Sequence, residues 1–330
     1  MMIKKTIAFS VLAFSALVST SVMATTFKVA VGDAQGGTQW EFATFFKKSF
    51  EAKRAGKDKV DLFPNGQLGS EEDTVSNAAM GALDFSVLAI NNMTPFSPSL
   101  GVLTLPYVIQ SAEEAKILTT GPLSKELTAN TIRDAKVRIV GWTYTGFRVL
   151  TNSKKPVTTL EDLKGLKIRV PKNEIMIATY QAWGINPVPM AWSETFTALQ
   201  QGVVDGQDNP YITVYAMKFY EVQKYVTSIR YVFSLEPLIV SESVFQKQPA
   251  DVQKAILEAG AEATEHSFVW LKATEDKMKQ DLLARGMQIS APADDEKEWI
   301  SKATTQVWPK FYQSIGGKEK LDQALKALGR

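Results

Sequence analysis

Two arginines occupy positions that are unusual for a charged residue. Arg169 lies in the run 166–170 and Arg148 in the run 146–150, and both runs are otherwise apolar and strand-like. A strand covered on both faces rarely holds a charge without a partner. That partner is either an acidic residue of the same chain or a ligand carboxylate, which suits the planar fork of arginine. Arg169 also lies near the carboxyl end of its strand, where α/β sheets bind ligands.

A polar stretch at 205–211, with the sequence DGQDNPY, is the second candidate for binding chemistry. It follows a predicted strand at 203–205, so we expect a loop that directs Gln207 and Asn209 into a cleft between two lobes. Aromatic side chains from the same regions are expected to wall this cleft, and about two of them to contact a ligand. These aromatic residues are Trp142, Tyr144, Phe147, Trp192 and Tyr211.

The composition excludes several classes of site. The 330 residues include no Cys and one His, so disulfides, Cys-based metal sites and multi-His zinc sites are excluded. A net charge of +2 argues against a nucleic-acid-binding protein. No G-x-S-x-G, H-E-x-x-H, P-loop or EF-hand motif occurs, and we expect no catalytic residue, metal or cofactor. His266 and the acidic stretch 294–296 are interpreted as structural and solvated, respectively.

The first 24 residues have the pattern of a secretory signal peptide. Lys4 and Lys5 precede an apolar run at 7–18, and small residues precede a cleavage position after Ala24. The run is too short for a membrane anchor, which is the alternative interpretation. Removal of 1–24 takes away two lysines and no acids, which leaves 35 basic and 35 acidic residues. We therefore expect an exported protein, free of the membrane and without net charge.

Strands and helices alternate along the chain, which predicts an α/β fold with a largely parallel sheet. Ser70 is predicted to cap a helix whose first turn is acidic. Thr158, followed by Glu161, is predicted to begin another helix with a capping box. The predicted strands are 27–31, 60–63, 83–88, 166–170 and 203–205.

Two longer-range features predict two lobes. The sequence GALD at 81–84 is matched by GVVD at 202–205, either as a weak repeat between similar lobes or as common loop chemistry. A helical pattern at 249–285 is interrupted only by Gly260. Such a helix would be about 54 Å long, which exceeds the diameter of one lobe. The chain therefore crosses between the lobes several times and forms a hinge.

The order of short motifs along the chain resembles that of a known family. The resemblance is densest at 146–224 and extends to Leu68-Gly69, 81–85 and 105–107. The densest motifs are GFR at 146–148, TNS at 151–153, DLKGLKIRVP at 162–171, PVPM at 187–190, ALQ at 198–200, VVDGQDNP at 203–210 and KFYEVQK at 218–224. Together they resemble the solute-binding subunits (DctP-type) of tripartite ATP-independent periplasmic (TRAP) transporters.

The resemblance implies a two-lobed, Venus-flytrap periplasmic-binding-protein fold with a long helix across both lobes. We assign 25–146 and about 235–275 to lobe I, and 147–234 and about 276–330 to lobe II. The resemblance also implies that Arg169 clamps a substrate carboxylate. The other residues that it places at the ligand are Arg148, Asn209, Trp192, Glu72 and Asn92, and we add Tyr211 from the aromatic pattern.

Two positions depart from the sialic-acid-binding members of the family. Lys172 follows the motif ending at Pro171, where those members tend to have Asn, and Ala89 stands where they have an acidic residue. Both departures argue against sialic acid as the solute. Lys172 is expected either to favour a second anionic group or to be solvated.

The predicted function is that of a monomeric periplasmic receptor that captures a small organic anion and delivers it to a TRAP membrane permease. A sugar acid, a hydroxy or keto acid, a dicarboxylate and a sulfonate all remain candidate solutes. The alternatives are a sulfonate receptor of the same transporter type and a binding protein of an ATP-driven importer. An exported enzyme is disfavoured because the chain lacks the motifs of a nucleophile and a base.

Overall fold

The computed structural model describes residues 25–330, so the predicted signal peptide lies outside the described residues. Within this range, no helix combines the length and apolar character needed to cross a membrane. The ten strands described are β1 Thr26–Val31, β2 Lys59–Phe63, β3 Phe85–Val87, β4 Val137–Asn152, β5 Ile168–Val170, β6 Val188–Pro189, β7 Gly206–Pro210, β8 Tyr225–Thr227, β9 Phe233–Ser241 and β10 Gln288–Ser290.

Helices surround these strands. The α-helices of the described residues are α1 Thr38–Lys53, α2 Glu71–Ala79, α3 Ile90–Met93, α4 Ala112–Thr120, α5 Pro122–Ala135, α6 Glu174–Ala182, α7 Thr195–Gln200, α8 Tyr211–Ala216, α9 Glu242–Lys247, α10 Ala250–Ala284, α11 Lys297–Gln306, α12 Trp308–Phe311 and α13 Lys318–Ala327. Ser70 caps α2, as the sequence predicts, and Asp73 completes a capping box that was not predicted.

Strand β4 runs through both halves of the molecule. The strand order is β2-β1-β3-β9-β4-β7-β5-β6, and β8 joins β4 to β10. The amino-terminal part of β4 pairs with β9, with irregular register near Gly141 and Gly146, and its carboxyl-terminal part pairs with β7 and β8. The sheet of the first half is thus β2-β1-β3-β9, that of the second half is β7-β5-β6, and β4 connects them.

The matching tetrapeptides at 81–84 and 202–205 occupy equivalent places. Gly81 and Gly202 both adopt positive φ angles, of 75° and 68°. The Asp84 carboxylate accepts a hydrogen bond from the Lys28 backbone, and that of Asp205 accepts one from the Lys167 backbone. Their carbonyls accept from the backbones of residues 241 and 153, at the ends of β9 and β4. The tetrapeptide therefore precedes a strand in each half, and its Asp forms equivalent hydrogen bonds at neighbouring strands in both.

Helix α10 is continuous over 35 residues, and the prediction of a long helix is confirmed. Gly260 lies where α10 crosses β4, and an added Cβ there would be 2.0 Å from the Val140 carbonyl oxygen. Ala259 contributes to an apolar core with β1 and α1, whereas Leu282 contributes to a core with α7 and α8. The helix thus packs against both halves, which confirms the predicted two-lobed α/β fold with a bridging helix.

Three predicted elements differ from the structure. Residues 203–205 form a turn, and the stretch predicted as a loop contains strand β7, which pairs with β4 and β5. The segment after Thr158 has only a 3-10 turn, Glu161–Leu163. Its amide groups are bound by Asp162 rather than by Glu161, so the predicted capping box does not form.

The carboxyl-terminal segment divides its contacts between the halves. In α11, the Trp299 carbonyl accepts a hydrogen bond from Trp183 of the second half. Beyond it, α13 buries Leu321 in the core shared with α4 and α5, and Arg330 pairs with Glu114 at 3.0 Å. The apolar face of the last helix is therefore covered by the first half, whereas the assignment of 276–330 to lobe II stays a prediction.

Candidate functional site

A cavity lies between the two halves of the sheet, and each half supplies one wall. The second-half wall consists of Arg148, Arg169, Pro171, Trp192, Asn209 and Thr213. The first-half wall consists of Asp33, Gln39, Glu71, Ala89, Asn92 and Glu236. Many of these residues lie on strands or directly after them, where side chains are held firmly by the sheet.

Arg169 is buried without a carboxylate partner among the described residues. Its side chain is 1% exposed, and Nε and Nη2 both donate to the Met190 carbonyl oxygen, at 3.1 and 2.7 Å. The guanidinium carbon lies 5.8 Å from the centre of the Trp192 ring. Burial, and then the charge of Arg148, lower the pKa of Arg169 to about 10. The site therefore contains a desolvated cation that forms no ion pair with a carboxylate of residues 25–330, although the more distant charges of Asp208, Glu71 and Glu72 favour it.

Arg148 forms an internal salt bridge, which is one of the two alternatives that the sequence predicts for a buried arginine. Its Nε donates to Asp208 Oδ2 at 2.8 Å, and both side chains are almost fully buried. Tyr231 donates its hydroxyl hydrogen to the same carboxylate oxygen. Burial lowers the pKa of Arg148, but the charge and hydrogen bond of Asp208 together with the neighbouring Tyr231 and Tyr180 hold the pKa above its ordinary value. The charge of Arg148 is thus balanced within the protein.

Asn209 lines the cavity from β7 and is held by its neighbours. Its Nδ2 donates to Gln207 Oε1 at 2.6 Å, and Gln207 Nε2 donates to Thr151 at 2.9 Å. Gln207 lies behind Asn209 and is not part of the cavity wall, contrary to the sequence-based expectation. This chain of hydrogen bonds fixes the orientation of the Asn209 side chain.

Of the five predicted aromatic residues, only Trp192 lines the cavity. It contacts Phe219 edge to face, with ring centres 5.7 Å apart. Tyr211 lies in a separate groove, where its hydroxyl is 2.6 Å from Ser228 Oγ and Lys279 lies over its ring. Tyr211 begins helix α8, whereas Asn209 lies in β7 and lines the cavity. The structure therefore does not bring Tyr211 into the site.

Glu71, rather than the predicted Glu72, lines the first-half wall together with Asn92. Glu71 accepts hydrogen bonds from Gln39 Nε2 at 2.9 Å, from the Ala89 backbone at 3.1 Å and from Asn92 Nδ2. The Glu72 carboxylate is shielded from solvent and has no hydrogen-bond partner among residues 25–330, but it is not in the wall. Lys172 is exposed and also lies outside the wall.

Three carboxyl groups of the first half therefore lie in one buried cavity. Burial, and then the charge of Glu71, raise the pKa of Asp33 to about 7. Burial raises the pKa of Glu236 well above its ordinary value, and the charges of Asp33 and Glu71 add to the effect. Burial also raises the pKa of Glu71, although its three hydrogen-bond donors oppose the shift. The sequence analysis missed all three residues.

The described residues contain no group of three or more His, Cys, Asp or Glu side chains arranged to hold a metal ion. The cavity instead presents hydrogen-bonding groups and charges of both signs. An arrangement of this kind can bind and orient a polar solute.

Comparisons with known proteins agree with this geometry. Residues 30–315 match the family model "Bacterial extracellular solute-binding protein, family 7". A solute-binding protein of Verminephrobacter eiseniae is 34% identical over 310 residues, which cover 94% of this chain and 91% of that protein.

Two solved structures give the comparison in three dimensions. A TRAP periplasmic solute-binding protein from Rhodobacter sphaeroides, in an apo, open and partially disordered form, is 40% identical with a TM-score of 0.76. One from Roseobacter denitrificans with bound L-galactonate is 28% identical with a TM-score of 0.86. In both cases the match covers 92% of this chain and 99% of the other. This chain therefore belongs to family 7 of the bacterial extracellular solute-binding proteins, the substrate-binding receptors of TRAP transporters, and is not an enzyme.

Proposed function

We propose that the protein is a periplasmic receptor that captures a small organic carboxylate by closure of its two lobes and delivers it to a TRAP membrane permease. The observation that carries this proposal is the buried, unpaired guanidinium of Arg169. Because transfer of an isolated charge from water into a protein is costly, the site favours an anion that restores the lost interactions.

The geometry around Arg169 suits a carboxylate. Nε and one hydrogen of Nη2 are used by Met190, which leaves three of the five guanidinium hydrogens for a ligand. Asn209 and Trp192 border the same space and would orient the bound group. Arg148 also lines the cavity and adds positive potential, although its own charge is balanced by Asp208. We therefore propose Arg169 as the anion clamp, with these three residues as its neighbours.

The relatives support both the ligand class and the closure. Related TRAP receptors have been solved with L-galactonate and with D-erythronate, each a hydroxylated monocarboxylate. The present structure is more similar to these than to the open apo relative, although the open one shares more of its sequence. This difference supports a closed arrangement here and an open form that accepts the solute.

A thermal-shift screen of residues 25–330 against carboxylates, sulfonates and neutral sugars tests the ligand class, since a ligand of the native state raises the melting temperature. We expect shifts from carboxylates. Hits confined to sulfonates would change the anion, and hits confined to neutral sugars would refute the clamp. Uptake through the permease under a sodium gradient without ATP tests the transporter type, and a strict need for ATP would refute it.

Substitution of Arg169 tests the clamp itself. For the best carboxylate hit, Arg169→Ala should lower the affinity by about 30-fold to several thousand-fold, because one partner of a buried charge pair is lost. Arg169→Lys should also bind poorly, since a point charge does not reproduce the fork. Arg133→Ala, at an arginine whose side chain is 68% exposed, is the control. Near wild-type affinity of Arg169→Ala in calorimetry would show that the clamp assignment is wrong.

A further inference from the structure

We infer that the first-half wall of the cavity, formed by Asp33, Glu71, Asn92 and Glu236, is an acceptor subsite that selects organic acids carrying hydroxyl groups at the end remote from the carboxylate. The inference rests on the proposed function, because it takes the carboxylate to lie on Arg169. It predicts that a second carboxylate at the remote end is rejected.

The two walls of the cavity have opposite character. The second-half wall presents the unpaired cation of Arg169. The first-half wall contributes three carboxyl groups and, among the described residues that line the cavity, no basic side chain. A ligand that spans the cavity therefore meets positive potential at one end and acceptor oxygens at the other. A dicarboxylate would place its second charge beside the carboxylate of Glu71, which accepts three hydrogen bonds, on a wall that offers no cation.

Two oxygens of the first-half wall have no hydrogen-bond partner among residues 25–330. Asn92 Oδ1 and Glu236 Oε2 are both buried, and both residues line the cavity. The orientation of Asn92 follows from its neighbour, because its Nδ2 donates to the Glu71 carboxylate and Oδ1 must then face away. Buried acceptors that lack donors are costly, and hydroxyl groups of a ligand would supply those donors.

A hydroxyl group fits this wall better than an ammonium group does. The charge of Glu71 is already met by donors from Gln39, Ala89 and Asn92. Burial raises the pKa of Asp33 to about 7 and also raises that of Glu236, which favours the protonated form of carboxyl groups on this wall. Protonated carboxyl groups offer both a donor and an acceptor, which is what a hydroxyl group requires.

The subsite is tested by calorimetry with matched acids that differ only in the remote part of the molecule. The six-carbon set is gluconate, hexanoate, adipate and 6-aminohexanoate, and the four-carbon set is erythronate, butanoate, succinate and 4-aminobutanoate. In at least one set, the hydroxylated acid should bind about 100-fold more tightly than the other three, since a site built to bind hydroxyl groups rejects analogues without them. Tighter binding of a dicarboxylate, a plain acid or an amino acid, or no binding of either hydroxylated acid, would overturn the inference.

Variants of Glu236 test whether this residue causes the preference for hydroxylated acids. Glu236→Leu should reduce the preference for the hydroxylated acid over the plain acid by at least about 10-fold, because a buried hydrogen-bonding group is lost. Glu236→Gln should keep most of that preference, since the amide also offers a donor and an acceptor. Glu161→Gln, at a side chain that is 74% exposed, is the control. An unchanged preference in Glu236→Leu would overturn the assignment.

The experiment separates the two proposals. Suppose that neither hydroxylated acid binds but that another anion does, and that Arg169→Ala abolishes the binding of this anion. Only the acceptor subsite is then refuted. If anions bind equally well to Arg169→Ala, the proposed function is refuted and the subsite with it.

Discussion

Arg148 and Arg169 both line the cavity, and they differ in what balances their charge. Arg148 is paired with Asp208, which also accepts a hydrogen bond from Tyr231. Arg169 donates only to a carbonyl oxygen among the described residues. Removal of one partner from a buried pair is strongly destabilising, whereas removal of an unpaired buried charge also removes its desolvation cost. The two residues should therefore respond differently to the same substitution.

Replacement by methionine keeps the apolar stem and removes the charge. Arg148→Met should lower the free energy of unfolding of the ligand-free protein by about 3–5 kcal/mol, because Asp208 is left buried and unpaired. Arg169→Met loses its hydrogen bonds to Met190 but is relieved of the buried charge, so we expect a change of less than about 2 kcal/mol. Urea unfolding of residues 25–330 at pH 7 measures both. Equal losses would contradict the distinction between the two arginines.

At the residue scale, some of the site was predictable and some was not. The argument that selects Arg148 and Arg169, a charge within an apolar strand, applies equally to Glu236 in β9, although the sequence analysis did not use it. Glu71 is harder to predict, because acids in the first turn of a helix are explained by the helix dipole alone. Only the packing of α2 shows that Glu71 faces the cavity while Glu72 does not.

At the element scale, strand β7 shows why sequence patterns fail at a binding site. Its sequence, GQDNP, has low strand propensity and reads as a loop. The strand forms because β4 and β5 pair with it on both sides and because Asp208 and Gln207 find buried partners. Such partners come from distant parts of the chain, so local propensity does not reveal them. Helix α10 was predictable, because its period and its terminal Pro249 and Gly286 are local signals.

The turn at Glu161–Leu163 stands where the sequence predicts a helix. Two neighbouring acidic residues in it, Asp162 and Glu161, can be compared by substitution. Asp162 Oδ2 accepts from the backbone amides of Thr158 and Thr159, both at 2.9 Å, and from their hydroxyl groups. Asp162→Ala should therefore lower the free energy of unfolding by about 1–2 kcal/mol, as loss of a cap does. Glu161→Ala should change it by less than about 0.5 kcal/mol, since Glu161 is exposed.

The pH dependence of unfolding adds a second measurement for this turn. Hydrogen bonds from Thr158 and Thr159 lower the pKa of Asp162 in the folded protein. The stabilisation is therefore fully present above about pH 4, the ordinary range of an Asp, and is lost as the pH falls further. The difference in stability between the wild type and Asp162→Ala should shrink in acid. Equal stabilities of the two alanine variants at pH 7 would contradict the role of Asp162.

At the scale of the whole molecule, the elements that extend into both halves are β4 and α10. The length of α10 and the tetrapeptides ending at Asp84 and Asp205 predict two similar halves from sequence alone, and the structure shows the same hydrogen bonds at both tetrapeptides. The return of α13 to the first half was not predicted, because an amphipathic helix indicates that one face is covered but not by which partner. The proposed closure depends in the same way on contacts between distant residues.

Asn173 provides such a contact between the two halves. Its Oδ1 accepts a hydrogen bond from the Met176 backbone at 3.0 Å and so caps α6, whereas its Nδ2 donates to the Asn91 carbonyl oxygen at 3.0 Å. Asn173→Asp keeps the cap, since Asp is an equally good N-cap residue. It removes the donor and places a carboxylate oxygen against a carbonyl oxygen, and both residues are almost fully buried. The substitution therefore acts on closure and not on the stability of α6.

We expect Asn173→Asp to favour the open form and to lower the affinity for the solute by about 5- to 30-fold, as a shift of about 1–2 kcal/mol between the two forms requires. The radius of gyration of the ligand-free variant, measured by small-angle X-ray scattering, should be at least as large as that of the wild type, and saturating ligand should restore the wild-type value. Because a ligand shifts such an equilibrium only through its preference for one form, affinity and radius should change together. A lower affinity with an unchanged response of the radius to ligand would instead place Asn173 in the binding site, and an unchanged affinity would show that this contact does not contribute to closure.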